Sequence, residues 1–189
     1  NLSVDVYRNK TENMLVYESV NAAAGFNNVL TNAGSMLNTG IEASVNARFI
    51  NKKNLKWDVG VNIGHNNNRV VSVPGGSFTT DYSGATILTA NSLRSTLFYG
   101  HIAQGVYSTD PAPGGLRKKN ADGSFSYFKA GDVRFLDINR DNIIDDNDRT
   151  IIGIPTPDIF GSVNTRLEYR RFTLDALFTF SQGNDVFNY

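Results

Sequence analysis

The sequence has 189 residues, enough for one domain with a core of its own, and its 18 basic and 18 acidic side chains leave no net charge. That balance, without any basic run, gives no field that would draw in nucleic acid. Cysteine is absent, which excludes disulfides, thiolate metal sites and a cysteine nucleophile, and the two histidines, His65 and His101, are too far apart to suggest a zinc site.

In chain order, the sequence starts at Asn1 with no initiator methionine or signal peptide, as though cut from something longer. The first element is a strand, "LSVDVY", with Leu2, Val4 and Val6 on one side. A short turn is expected at Asn9–Asn13 ("NKTEN"), whose Asn and Lys residues are good turn chemistry. The next segment, "NMLVYESV", is β-prone, although Met14, Leu15, Val16 and Tyr17 run together and leave its facing open. A loop rich in Gly, Asn and Ser is expected over residues 21–38. Strict alternation begins at Gly40: Ile41, Ala43, Val45, Ala47 and Phe49 oppose Glu42, Ser44, Asn46 and Arg48. After a turn at Asn51–Asn54 the pattern repeats, with Leu55, Trp57, Val59, Val61 and Ile63 against Lys56, Asp58, Gly60 and Asn62. A long excursion covers about residues 72–158. "GSVNTRLEYR" then alternates from Val163, the chain turns at Arg170–Arg171, and "FTLDALFTF" closes the pattern. A period of two places successive side chains on opposite faces, so these segments are strands with one apolar face.

Six strands are legible. With strands running up and down, the short turns share one edge and the long loops the other. That asymmetry belongs to an outer-membrane barrel with periplasmic turns and extracellular loops. No stretch approaches the roughly 20 apolar residues of a membrane helix, but barrel strands never need such a run. The apolar-face residues beside the short turns, Phe49, Trp57, Tyr169 and Phe172, are all aromatic, as an interfacial girdle requires. Two architectures fit: an all-β antiparallel up-and-down transmembrane β-barrel segment, or a soluble β-sandwich with aromatic core edges. The opposite face carries Ser44, Asn46, Gly60, Asn62, Thr173 and Thr179 rather than many Lys and Glu, which favours the wet lumen of a barrel.

Residues 137–148, "DINRDNIIDDND", form the most acidic stretch. Taking Asp137 as position 1 of an EF-hand-type loop puts Asn139 at 3, Asp141 at 5, the Ile143 carbonyl at 7, Asp145 at 9 and Asp148 at 12. Four carboxylates so close repel unless a hard cation compensates, which is the case for a structural Ca²⁺. Asn142 stands where glycine is usual, Asp148 where glutamate is usual, and the flanks are not helical. The loop is therefore no helix-opening sensor. The competing reading is a solvated loop of Asx turns that binds nothing tightly.

The stretch from Gly131 to Tyr189 resembles the late-barrel signature of the SusC/RagA family of TonB-linked outer-membrane transporters. Its marks are the Gly131–Asp132 strand entry, the acidic loop through Asp148–Arg149, and the Ile152–Gly153 step with Pro155 and Pro157. A strand pair follows, and then Gln182–Gly183–Asn184–Asp185. Upstream, "NTGIEASVNARFINKKNLKWDVGVNIGHNNNRVVSV" is similar to a second family segment, and "YRNKTENML" to the hairpin before it. Asn142 departs from the family's glycine. The resemblance implies residues 1–189 as part of a TonB-dependent receptor barrel of a Bacteroidota-type, Gram-negative outer membrane, with residues 72–158 an extracellular excursion. The plug domain and TonB box are absent from the sequence, and a full barrel of this class has about 22 strands. Tyr189 reads as a truncation point. The implied partners are a SusD-like surface lipoprotein acting as a lid, TonB through the absent plug, outer-membrane lipid, and an oligosaccharide or peptide substrate. Loop aromatics at Tyr82, Phe98, Tyr99, Tyr107, Tyr127 and Phe128 are the substrate contacts that composition suggests. The alternative is a secreted β-sandwich carbohydrate-binding module with a structural calcium loop. No catalytic constellation is legible: Asp145 and Asp146 are adjacent and point apart, and neither histidine has a nucleophile near it.

Overall fold

Alternation over long runs yields long strands. In the computed structural model, which describes residues 1–20, 25, 28–111 and 114–188, the chain opens with β1 (Leu2–Ser19), β2 (Asn28–Lys52) and β3 (Leu55–Ser72). Among the described residues nine short strands, β4 to β12, occupy the excursion, and β13 (Ile159–Tyr169) and β14 (Phe172–Gln182) follow it. The five long strands make one antiparallel sheet in the order β1-β2-β3-β13-β14. Two-residue turns join β2 to β3 and β13 to β14. The two turns lie together, since the Arg170 amide donates to the Asn54 carbonyl at 2.9 Å. Arg170 adopts φ 54°, the left-handed conformation such tight connections use.

The first forty residues differ from expectation. Asn9–Asn13 is not a turn; it lies inside β1, which runs unbroken to Ser19 against β2. The turn-like composition marks a bulge, with register shifts on either side of Met14 and Asn13 at φ 57°. Two expected strands therefore merge into one, and the wall has five strands rather than six. Most of the expected loop at 21–38 is strand as well, because β2 begins at Asn28. What remains of that loop falls mainly on residues outside those described, as does Tyr189. Short turns still share one edge and long connections the other.

The excursion from Val73 to Asp158 folds on itself. β4 (Ser77–Tyr82), β5 (Ala85–Ala90), β6 (Leu97–His101) and β12 (Arg149–Gly153) form a sheet ordered β12-β6-β5-β4. β7 (Ala103–Val106) pairs with β10 (Val133–Phe135). β8 (Arg117–Lys119) lies between β9 (Phe125–Tyr127) and β11 (Ile143–Ile144). Among the described residues, the buried apolar side chains are Val70 and Val73 at the top of β3 and Ala85, Leu97, Phe128 and Ile144 in the excursion. None lies in the central span of the wall.

Candidate functional site: a two-faced wall and its acidic loop

Register places every apolar alternation on one face. Val4 pairs with Ala43, Ala43 with Ile63, Ile63 with Gly161, and Gly161 with Phe180. One step along, the row runs Leu2, Val45, Val61, Val163 and Phe178. Among the described residues no second sheet covers this face: Val61 is 38% exposed, Ile63 47% and Phe178 66%. In a sandwich these positions would be core.

The aromatics gather where the face meets the short turns. Phe49 sits at a bulge between Arg48 and Ile50 and tilts against Trp57 with ring centroids 5.3 Å apart. The Trp57 indole N–H donates to Thr165 Oγ1 at 2.8 Å, Tyr169 pairs with Phe172, and the Arg170 guanidinium lies 5.4 Å from the Tyr169 ring centre. An apolar ring with a polar tip suits a boundary between hydrocarbon and water.

The opposite face is polar and internally paired. Arg48, Asp58, Arg166 and Asp175 are register neighbours across β2, β3, β13 and β14, so charge alternates along one row. Arg48 grips Asp58 with both Nε (2.7 Å) and Nη2 (3.2 Å). Arg166 Nη1 lies 3.8 Å from Asp175, its Nε donates to Glu168 at 2.9 Å, and Lys56 approaches Glu168 at 3.7 Å. Opposite charges across strands each contribute about 0.2–1 kcal/mol. Next to this row, the side-chain oxygens of Asn46 and Asn164 lean over Gly60, where any Cβ would collide with them. Sequence reading missed this ladder. Its signal was present as charges recurring at the polar parity, but pairing strands distant in sequence requires the register.

The acidic loop splits into two groups. Asp137 accepts the Arg140 and Asn142 amides at 2.6 and 2.9 Å, and Asp141 accepts the Ile143 amide at 2.7 Å and the Asn139 side-chain amide at 2.9 Å. Arg140 and Asn142 both have positive φ, so asparagine supplies the conformation glycine would. In the second group Asp145 caps a single 3₁₀ turn, Asp146–Asp148. Asp148 is completely buried, its carboxylate accepting the Ile138 amide at 2.8 Å and the Asp145 amide at 3.0 Å. His101 Nε2 lies 2.8 Å from the Asp145 carbonyl, and Asp146 is left in solvent. The Ile143 carbonyl takes part in none of the hydrogen bonds of either group, and beside it the Asn142 carbonyl accepts the Arg117 amide at 3.0 Å. Among the described residues no three acidic or histidine side chains converge on one cation-sized point.

The loop aromatics do not form one surface. Phe128 is core, with the Tyr107 ring tilted against it at a centroid distance of 5.7 Å. Phe98 tilts against Phe187 with ring centroids 6.1 Å apart, and the Arg149 guanidinium lies over Tyr99. Tyr82 and Tyr127 are the two that stand free, at 73% and 60% exposure.

An antiparallel sheet with an uncovered apolar face, an aromatic rim at its short turns and a polar opposite face is a segment of transmembrane β-barrel wall; the barrel is not closed within these strands. No protein-family model matches the chain. TonB-dependent receptor P3 of Formosa agariphila is 30% identical over 195 residues, taking in 100% of this chain and 19% of that protein. The TonB-dependent receptor SusC of Bacteroides thetaiotaomicron is 27% identical over 190 residues, covering 98% of this chain and 17% of SusC. Among solved structures, the RagAB peptide importer in its closed-closed state superposes with a TM-score of 0.69 at 21% identity, over 97% of this chain and 19% of that one. Over its whole length the chain is similar to a part of proteins named as TonB-dependent receptors, SusC among them. It spans about a fifth of the length of the curated relatives it matches.

Proposed function

We propose that this chain forms part of the outer-membrane barrel of a transporter that imports peptide or glycan oligomers with a SusD-like surface lipoprotein, energised by TonB through a plug outside these residues. The observation carrying the reading is the uncovered apolar face of the wall with its aromatic rim, set against a polar, internally paired face. The apolar face meets lipid, the polar face lines the conduit, the short turns are periplasmic, and the excursion of residues 72–158 is extracellular. Support for cargo and partner comes from what the relatives are called, SusC and the RagAB peptide importer. The test follows the full-length protein. It should pellet with the outer membrane, need detergent for extraction, co-purify with a surface lipoprotein, and be required for growth on an oligomeric nutrient. Recovery from the soluble fraction without detergent contradicts the reading. The carbohydrate-binding sandwich gains no support, because it needs a second sheet over Val61, Ile63 and Phe178.

We also propose Ca²⁺ as a structural cation of the acidic loop, held by Asp137, Asn139, Asp141, the Ile143 carbonyl, Asp145 and Asp148. The order of oxygen donors supports this. Binding would have to draw the Asp137–Asp141 group and the Asp145–Asp148 group together. Calorimetry on the full-length protein should give calcium binding that Asp141→Ala abolishes. Loop amides whose hydrogen exchange is the same with and without chelator refute it.

A further inference from the structure

Two sequence marks remain without a role, the Gly153–Asp158 link and the Gln182–Asp185 stretch, and the fold brings them together. The Asp158 amide donates to the Gln182 carbonyl at 2.9 Å and the Asp185 amide to the Ile154 carbonyl at 2.7 Å. The Ile154 amide in turn donates to the Asp185 carboxylate at 2.8 Å. Two glycines permit this approach. A Cβ on Gly183, already at φ +85°, would come within 2.6 Å of the Asp158 carboxylate. One on Gly153 would press on Phe98 and Asp185 at 3.0–3.1 Å. Asp158 is also reached from the other end of the excursion. Arg94 Nη2 donates to its carboxylate at 2.7 Å, and His65 Nδ1, on β3, lies 2.5 Å from its carbonyl.

The segment bearing Arg94 is itself fastened to the top of β3. Val70 and Leu93 are joined by a backbone bond of 2.8 Å, Ser92 donates to the Val70 carbonyl at 2.9 Å, and the Ser95 amide donates to the Asn68 side chain at 2.9 Å. A hydrogen-bonded belt therefore runs from β3 through residues 91–95 and 154–158 to the exit of β14, closing both stalks of the excursion.

We propose that this belt is a clasp, with Asp158 as its node, which makes the excursion one rigid body with β3, β13 and β14 rather than a flap hinged on two loops. Arg94, Asp158 and Asp185 are its positioning residues, and Gly153 and Gly183 are the spaces it needs. A segment joined to its support by several hydrogen bonds at both stalks opens only with that support, whereas a hinged flap exchanges its stalk amides early. The inference rests on the geometry of this chain and stands apart from the transport reading, so either can fail alone.

Hydrogen exchange on the detergent-solubilised full-length protein tests it. In the wild type, the amides of Ile154, Asp158 and Asp185 should be protected like those of Val61 and Val163 in the wall. The double variant Asp158→Ala/Asp185→Ala should speed exchange at those stalk amides by about tenfold or more while the wall amides keep their protection. Stalk amides that exchange like an open peptide in the wild type overturn the clasp, whether or not the variant folds. Unchanged stalk exchange in a folded double variant overturns it equally.

Discussion

The wall and the excursion are made from the same kinds of side chain and place them oppositely. In the wall, Val4, Val61 and Phe178 lie on an open face; in the excursion, Leu97, Phe128 and Ile144 are enclosed by short strands and turns. Polar groups reverse in the same way. The wall spreads its charges along one face as the Arg48–Asp58–Arg166–Asp175 ladder, whereas the excursion encloses Asp148 completely and satisfies it with two backbone amides. The difference teaches which solvent each region is built for. An apolar face can stay uncovered only where the surroundings are apolar, and a region in water must collapse around its own apolar residues.

The sharpest way to break this contrast is to charge one face of the wall and not the other. Val61→Arg should destabilise the barrel in a bilayer by about 2–4 kcal/mol if the residue lies near mid-depth. Asn62→Arg, one residue away on the polar face, should stay within about 0.5 kcal/mol. Denaturant titration of the full-length protein in liposomes measures both, and equal costs would remove the distinction between faces. The next effect belongs to the excursion. Asp148→Ala strands two amides in a closed site and should cost about 2–4 kcal/mol locally, leaving the wall's hydrogen exchange unaltered. Uniform loosening of wall and excursion would contradict their separate construction.

Smaller effects refine the rim and the loop surface. Trp57→Phe keeps the ring but loses the bond to Thr165, and should lower barrel stability by about 0.5–1.5 kcal/mol, measured by unfolding in lipid. The least is a pH effect at the β8–β9 turn. The Ser124 hydroxyl first, and then its amide, hold the exposed Asp122 carboxyl below its usual range. A lowered carboxyl stabilises the folded turn above the unfolded group's pKa, and that contribution disappears as pH falls through the folded value. Protection of the Ser124 amide should therefore decline only at the acid end, and Asp122→Asn should abolish that dependence in an NMR titration.

Much of the wall was legible in the sequence because alternation over Gly40–Ile63 and Val163–Phe180 reports a strand and its two faces at once. The aromatic rim followed from parity and from the position of the short turns. Two features misled. Asn9–Asn13 has the composition of a turn, yet the left-handed conformation that favours asparagine serves a bulge equally well, and the β1–β2 register decided between them. Residues 28–38 look like loop by composition, but β1 offers a paired edge and propensity yields to pairing. The charge ladder and the Asp158 clasp join residues far apart in sequence, and no local pattern predicts their meeting. In the acidic loop the amide-capping role of the carboxylates follows from their Asx chemistry, while the complete burial of Asp148 and its bond from the Ile138 amide have no local pattern to announce them.

The central claim is that one face of this sheet meets lipid and the other water. Spin labels placed singly at residues 57–59 and 61–63 of the full-length protein in a bilayer measure this directly, through relaxation by oxygen, which concentrates in lipid, and by a water-soluble nickel chelate. Oxygen should dominate at Val59, Val61 and Ile63, and the chelate at Asp58 and Asn62. Labels at Val61 and Asn62 that respond alike to both reagents would contradict the account.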